Sequence, residues 1–162
     1  MPTVKLTAEG SKPVISRTIW IPEKASFEDL AKVTDRIFGF TLGLRHEFDI
    51  GGFFTIGYLG HADKDEVRES PAFYEGDEVT YTYGGSWRIS FSWQKSRKGM
   101  PEDHFILTTA KGQFLDDAFH DFADMAGFVK VDGTRFSEEQ IAMVNRSLTD
   151  TDVHGVGGEP VA

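Results

Sequence analysis

The sequence predicts an α+β domain: a mostly antiparallel sheet built of hairpins and covered by two or three helices. Three observations lead there. Short segments alternate apolar and polar residues with period two, as Val4, Leu6 and Ala8 do against Thr3, Lys5 and Thr7. Glycine turns join such segments, most plainly Gly84-Gly85-Ser86 between Tyr83 and Trp87. Stretches with helical spacing lie between and after the strands. No βαβα alternation is present, so a doubly wound parallel sheet is not expected.

The elements follow in order. The alternation from Thr3 to Ala8 predicts a half-buried strand. Gly10-Ser11-Lys12-Pro13 is a turn signal, and a second strand runs from Val14 to Ile21, with Ile15, Ile19 and Ile21 sharing a face with Arg17. Pro22 ends it. Ser26 with Asp29 makes a capping box for a helix carrying Phe27, Leu30, Ala31, Thr34, Ile37 and Phe38 at helical spacing. Gly39 is its natural C-cap. His46, Phe48 and Ile50 form one arm of a hairpin turned at Gly51-Gly52, with Phe54, Ile56 and Tyr58 on the other. The polar stretch 60–76 reads as a loop. Val79, Tyr81 and Tyr83 pair across a glycine turn with Trp87, Ile89, Phe91 and Trp93.

A loop from Gln94 to Asp103 holds Lys95, Arg97 and Lys98. A short strand is expected near Phe105 to Leu107, then a helix from about Gly112 to Ala126 with Leu115, Ala118, Phe119 and Phe122 inward. Phe128 to Val131 reads as a last strand. Ser137 with Gln140 caps a third helix whose stripe is Ile141, Val144 and Leu148. The expected organisation is one domain over 1–148 and a mobile tail over 149–162.

Composition narrows the chemistry. The chain has 162 residues, 14 of them Phe, enough to build a real core. It has no cysteine, which excludes disulfides, thiolate catalysis, zinc fingers and iron–sulfur clusters. The N-terminus lacks the apolar core of a signal peptide, and no apolar run approaches a membrane span, so a cytoplasmic protein with no membrane partner is expected. The net charge of −9 argues against coating a nucleic acid, which needs clustered cations to release counterions.

Several segments taken together carry a resemblance. Lys12-Pro13-Val14-Ile15-Ser16-Arg17 leads through a strand, a Pro and a capped helix to Phe38-Gly39-Phe40. His46-Glu47-Phe48-Asp49-Ile50, Tyr81-Thr82-Tyr83-Gly84-Gly85-Ser86-Trp87 and Pro101-Glu102-Asp103 follow. In this order, to about Phe122, the chain resembles the plasmid open-reading-frame-three-like family, first named from a root-inducing plasmid. Arg17, His46, Phe48, Tyr81, Gly84, Trp87, Glu102 and Asp103 match its pattern. Ser16 stands where a tryptophan is expected, Thr82 and Gly85 where two aspartates are, and Ile89 where a histidine is. The resemblance therefore implies that any polar site of the relatives is absent or altered in this chain. Relatives are sometimes labelled transposon resolvases, but this sequence offers neither a nucleophilic serine among arginines nor a DNA-binding arm.

The constellations that could carry chemistry are few. Asp116, His120 and Asp124, spaced by four, would line one helix face, and they read as a solvated acidic surface instead of a metal site. His46 and Arg17 are polar residues in inward phases. An inward arginine needs a carboxylate partner, for which Glu102 and Asp103 are the candidates; the other reading is a partly exposed Arg17 whose stem covers the sheet edge. Gly155, Gly157 and Gly158 make no phosphate loop, because no strand precedes them and no helix follows.

The expected function is a non-catalytic binding or accessory domain, associated with mobile elements, acting through its aromatic sheet face on a protein or small-molecule partner. Its expected binding residues are Arg17, His46, Tyr83, Trp87, Glu102 and Asp103, with no catalytic residue, no metal and no cofactor. Arg17, His46, Tyr83 and Trp87 are expected on one side of the sheet. The alternatives are a hydrolase using Arg17, His46, Glu102 and Asp103, and a nucleic-acid-associated factor using the Lys95 loop. An exposed Trp20/Trp87/Trp93 cluster would favour binding.

Overall fold

Alternation along seven segments produces a seven-stranded, wholly antiparallel sheet, described here from a computed structural model for residues 2–22, 25–51, 54–57, 78–96, 99 and 103–149. The strands are β1 (Pro2–Ala8), β2 (Ser16–Trp20), β3 (His46–Ile50), β4 (Phe54–Gly57), β5 (Val79–Tyr83), β6 (Trp87–Ser96) and β7 (Ile106–Lys111). Their order across the sheet is β4-β3-β5-β6-β1-β2-β7. The helices are α1 (Phe27–Phe38), α2 (Phe122–Ala126) and α3 (Glu138–Thr149). The fold is α+β, with helices packed on the sheet.

The registers show which residues share a face. Leu6 opposes both Arg17 and Phe91, Phe91 opposes Val79, and Val79 opposes Ile50. Because side chains alternate, Val4, Ile19, Phe48, Tyr81, Tyr83, Trp87 and Ile89 point the same way. This is the buried aromatic face, and α1 lies over it, with Phe27 5.0 Å from the Phe48 ring. The bland outcome of the alternation is therefore the one realised here: the aromatic face is core, not an open binding surface.

Local capping is as the sequence predicts. Ser26 Oγ accepts from the Asp29 N–H and the Asp29 carboxylate accepts from the Ser26 N–H, both at 3.1 Å. Gly39 ends α1 in the left-handed region at φ 90. At α3, Ser137 and Gln140 exchange the same pair of bonds at 2.8 and 3.1 Å, and Leu148 is buried.

The predicted 112–126 helix is a correction: only α2, its last turn and a half, is helical. Tertiary partners take the bonds a helix would need. Gly112 N–H goes to Thr134, Leu115 N–H goes to Phe38, and the Asp117 side chain turns inward. Asp121 then caps α2, accepting from the Asp124 N–H at 2.8 Å. The predicted strand at Phe128–Val131 is a second correction. The Phe128 and Val129 N–H groups bond back to Met125, and Phe128 is 79% exposed. β7 runs further than expected, to Lys111. The α3 helix includes Thr149, which the sequence reading places in the tail. The 60–76 loop, Arg97, Lys98, Glu102 and the tail from Asp150 lie outside the described residues.

Candidate functional site

Position in the sheet decides what each predicted residue can do. Arg17, His46, Tyr83 and Trp87 do share the helix-covered face. His46 and Trp87 are both cross-strand partners of Tyr83. Arg17 stands apart: four strand steps, roughly 19 Å, separate β2 from β3.

Arg17 is fully buried and structural in its contacts. Its Nε donates to the Ile37 carbonyl at 2.8 Å, Nη1 to those of Ser16 and Lys111, and Nη2 to that of Gln113. Its guanidinium lies over the rings of Phe38, Phe114 and Phe136 at 5.1, 5.6 and 4.7 Å. Burial holds its pKa down to about 10. The expected carboxylate partner is corrected here. Asp103 is exposed and bonds His104 Nδ1 at 2.7 Å, and carbonyls with aromatic faces do the neutralising work at Arg17 instead. Asp103 precedes β7 at the Trp20 end, whereas His46 and Trp87 lie at the opposite end. Arg17, His46 and Asp103 thus occupy three separate places.

The tryptophans do not form an exposed cluster. Trp20 and Trp87 are buried, and Trp20 is in the opposite phase, beside Thr3 and Ile106. Trp87 Nε1 donates to the Phe119 carbonyl at 3.1 Å, and Phe40 packs on both Tyr83 and Trp87.

A polar cluster that sequence reasoning missed lies beneath β5. Tyr81 donates to Asp35 at 2.5 Å, and Tyr83 donates to Asp117 Oδ2 at 2.7 Å. The same Oδ2 accepts from the Thr41 and Leu42 N–H groups, both at 2.9 Å. The two carboxyls respond oppositely. Burial, with Asp117 nearby, pushes Asp35 up to about 7 against the lowering effect of the Tyr81 bond. Burial also pushes Asp117 up, but the bonds from Leu42, Tyr83 and Thr41 outweigh it and hold Asp117 below the usual carboxylate range. Burial raises Tyr81 well above its ordinary value and Tyr83 to about 12. No helical or strand periodicity marks Asp117, because its role depends on a contact 76 residues away.

Two concavities flank the β5–β6 turn. One, of about 230 Å³, is lined by Arg45, His46, Glu47, Thr82 and Gly85. His46 is half-buried, and burial lowers its pKa while Glu28 acts the other way. The second, of about 340 Å³, includes Glu9, Ser86, Trp87, Arg88 and Asp121, and Glu9 pairs there with Arg88 at 2.9 Å. Beside it, Ser86 Oγ lies 3.1 Å from His120 Nε2 and 3.5 Å from Nδ1. That places the hydroxyl between the two nitrogens, off either lone pair, which is not the geometry of a nucleophile and its base. Asp116, His120 and Asp124 do not line a helix face. Asp116 accepts from Ala118 and Asp124 from the His120 backbone, and no metal-ligating group of three converges among the described residues. Among the same residues no helix is long and apolar enough to cross a membrane.

No family model and no curated protein matches the sequence. A crystal structure of a protein of unknown function from Methanosarcina mazei Go1 is similar, with a TM-score of 0.64 at 22% identity over 93% of this chain and 92% of that one. At that identity the likeness establishes a shared fold.

Proposed function

We propose that the chain is a non-catalytic binding or accessory domain whose ligand site is the recess of Arg45, His46, Glu47, Thr82 and Gly85. The observation that supports this is the placement of Arg45. Its exposed guanidinium stands over a glycine-lined hollow, and no acid among the described residues pairs with it. A Cβ built on Gly85 would meet only Arg45 Nη2, at 3.7 Å, so the hollow stays open for another group. Glu47 and Thr82 are cross-strand neighbours facing away from α1 and supply acceptors beside the cation. The chemistry fits a small molecule or a peptide segment that bears a carboxylate or phosphate next to a donor. His46, Tyr83 and Trp87 frame this end of the sheet, whereas Arg17 supports the fold.

A hydrolase built on Arg17, His46, Glu102 and Asp103 draws no support from three residues held in separate places. The resemblance to the plasmid open-reading-frame-three-like family, and a role alongside mobile elements, belong to this proposal as context. Amide-resolved NMR titration with succinate and with inorganic phosphate tests it. Saturable shifts at Arg45, His46, Thr82 and Gly85 that vanish in Arg45→Ala are expected. Absence of saturable shifts with either probe, or shifts that persist in Arg45→Ala, would refute the assignment.

A further inference from the structure

The segment Thr41–Arg45 joins α1 to β3 with every residue exposed. Two buried side chains fasten it to the body. Asp117 accepts from the Thr41 and Leu42 N–H groups, and the Tyr83 hydroxyl accepts from the Leu44 N–H at 3.2 Å. Asp117 and Tyr83 also bond each other, so a single shared hydrogen-bond unit holds three of the segment's amides. Gly43, at φ 63 with open space around it, lets the segment turn. Its last residue, Arg45, lines the recess described above.

Asp35 stands next to this unit. It sits in the last turn of α1, where the helix carbonyls disfavour negative charge. The Gly39 and Phe40 N–H groups both bond the Asp35 carbonyl, so the residue is fixed where the segment leaves the helix. The groups facing its carboxyl are Tyr81 and Tyr83 from β5 and Asp117 from the 113–121 stretch. From β3, His46 packs against the Tyr81 ring, with the centroids 5.5 Å apart. Cations are engaged elsewhere: Arg17 with backbone carbonyls, Lys32 with Glu28 and Arg36 with the Ser147 carbonyl.

We propose that Thr41–Arg45 is a strap that loosens when Asp35 loses its proton, and that the strap is the movable wall of the Arg45 recess. The second clause rests on the reading of that recess as a ligand site. The physical cause is like-charge repulsion. With Asp35 neutral, Asp117 is the single anion of the cluster and its donors stay in place. With both ionised in a poorly solvated cluster, Asp117 and its donors are pushed away from Asp35. Burial places that ionisation near neutral pH.

Hydrogen exchange of the Thr41, Leu42 and Leu44 amides, corrected for intrinsic rates, tests the strap without any ligand. Between about pH 5.5 and about pH 8.5, protection should fall about tenfold in the wild type and stay level in Asp35→Asn. Level protection in the wild type, or an equal fall in the variant, would overturn the proposal. If Asp35→Asn does not fold, the Asp35 carboxyl can be titrated by carbon NMR in the wild-type chain. Strap amide shifts that share its midpoint support the proposal, and a different midpoint overturns it. Arg45-dependent binding of succinate or phosphate with a level strap would leave the ligand site standing and remove only the switch.

Discussion

Arg17 Nε donates to the carbonyl oxygen of Ile37 across 2.8 Å, fastening β2 to the last turn of α1 by a cation that never reaches water. Replacing Arg17 with Ala would leave four carbonyls, those of Ile37 and Ser16 in buried bonds, without this donor, and a hole between three rings. The expected cost is about 3–5 kcal/mol in urea denaturation. Arg17→Lys should recover less than half, because an ammonium cannot fork to carbonyls from β2, α1 and the 111–113 turn. A loss below about 1 kcal/mol for Arg17→Ala would contradict this account.

Asp35 links stability to pH with a definite sign. Its pKa is raised in the fold to about 7, so the folded chain holds this proton more tightly than the unfolded one. Its contribution is fully present below the unfolded value, near 4, and is lost as pH rises to about 7. Relative to Asp35→Asn, the wild type should lose on the order of a few kcal/mol across that window. Parallel pH profiles of the two proteins would count against the assignment.

Asp117 has the opposite sign, because its folded pKa lies below its ordinary value. The stability it supplies is present above the unfolded value and is lost as pH falls through the lower, folded one. Asp117→Ala leaves the Thr41 and Leu42 amides and the Tyr83 hydroxyl without their acceptor, an expected loss of about 2–4 kcal/mol near neutral pH. The midpoint of chemical denaturation measures it.

Gly112 packs where no side chain fits. At φ 87, a Cβ there would meet Ile15 Cγ1 at 2.7 Å and the Asp132 carbonyl at 3.2 Å. Gly112→Ala should cost more than about 2 kcal/mol, whereas Gly10→Ala, at φ 79 with open space, should cost about 1 kcal/mol. Equal melting temperatures for the two variants would argue against the close packing at Gly112.

Asn145 works as a substitute strand. Its side-chain oxygen accepts from the Leu107 N–H at 2.7 Å and its Nδ2 donates to the Leu107 carbonyl at 2.9 Å. The Phe136 N–H covers the Ala110 carbonyl further along the same margin. Asn145→Ala should destabilise by about 1–2 kcal/mol and raise the rate of aggregation at moderate urea, both absent in Asn145→Gln only if the longer amide still reaches. Light scattering during denaturation reports it.

The sheet was legible because period-two alternation and glycine turns are local. The Ser26/Asp29 and Ser137/Gln140 boxes, and the phase shared by Arg17, His46, Tyr83 and Trp87, follow from the same short-range patterns. What stayed hidden depends on distant partners. Leu115, Phe119 and Phe122 show helical spacing, yet Phe38 and Thr134 capture the backbone that a helix needs. Asp117 carries no local signal, because Thr41 and Leu42 meet it only after folding. Arg17 was readable as a cation in an inward phase, but neither its full burial nor the aromatic rings and carbonyls that replace a carboxylate partner were.

The β1–β6 pairing sets a constraint on timing during synthesis. It joins residues 2–8 to residues 89–96 and forms the seam between β4-β3-β5-β6 and β1-β2-β7. A ribosome adding roughly 5–20 residues per second would release the β1–β2 hairpin several seconds before its partner strand exists. During that interval one margin of β1, with Val4 and Leu6, has nothing to zip against. The N-terminal hairpin therefore waits with both margins open: β6 is the strand whose arrival joins it to the rest of the sheet, and β7 then covers the margin of β2.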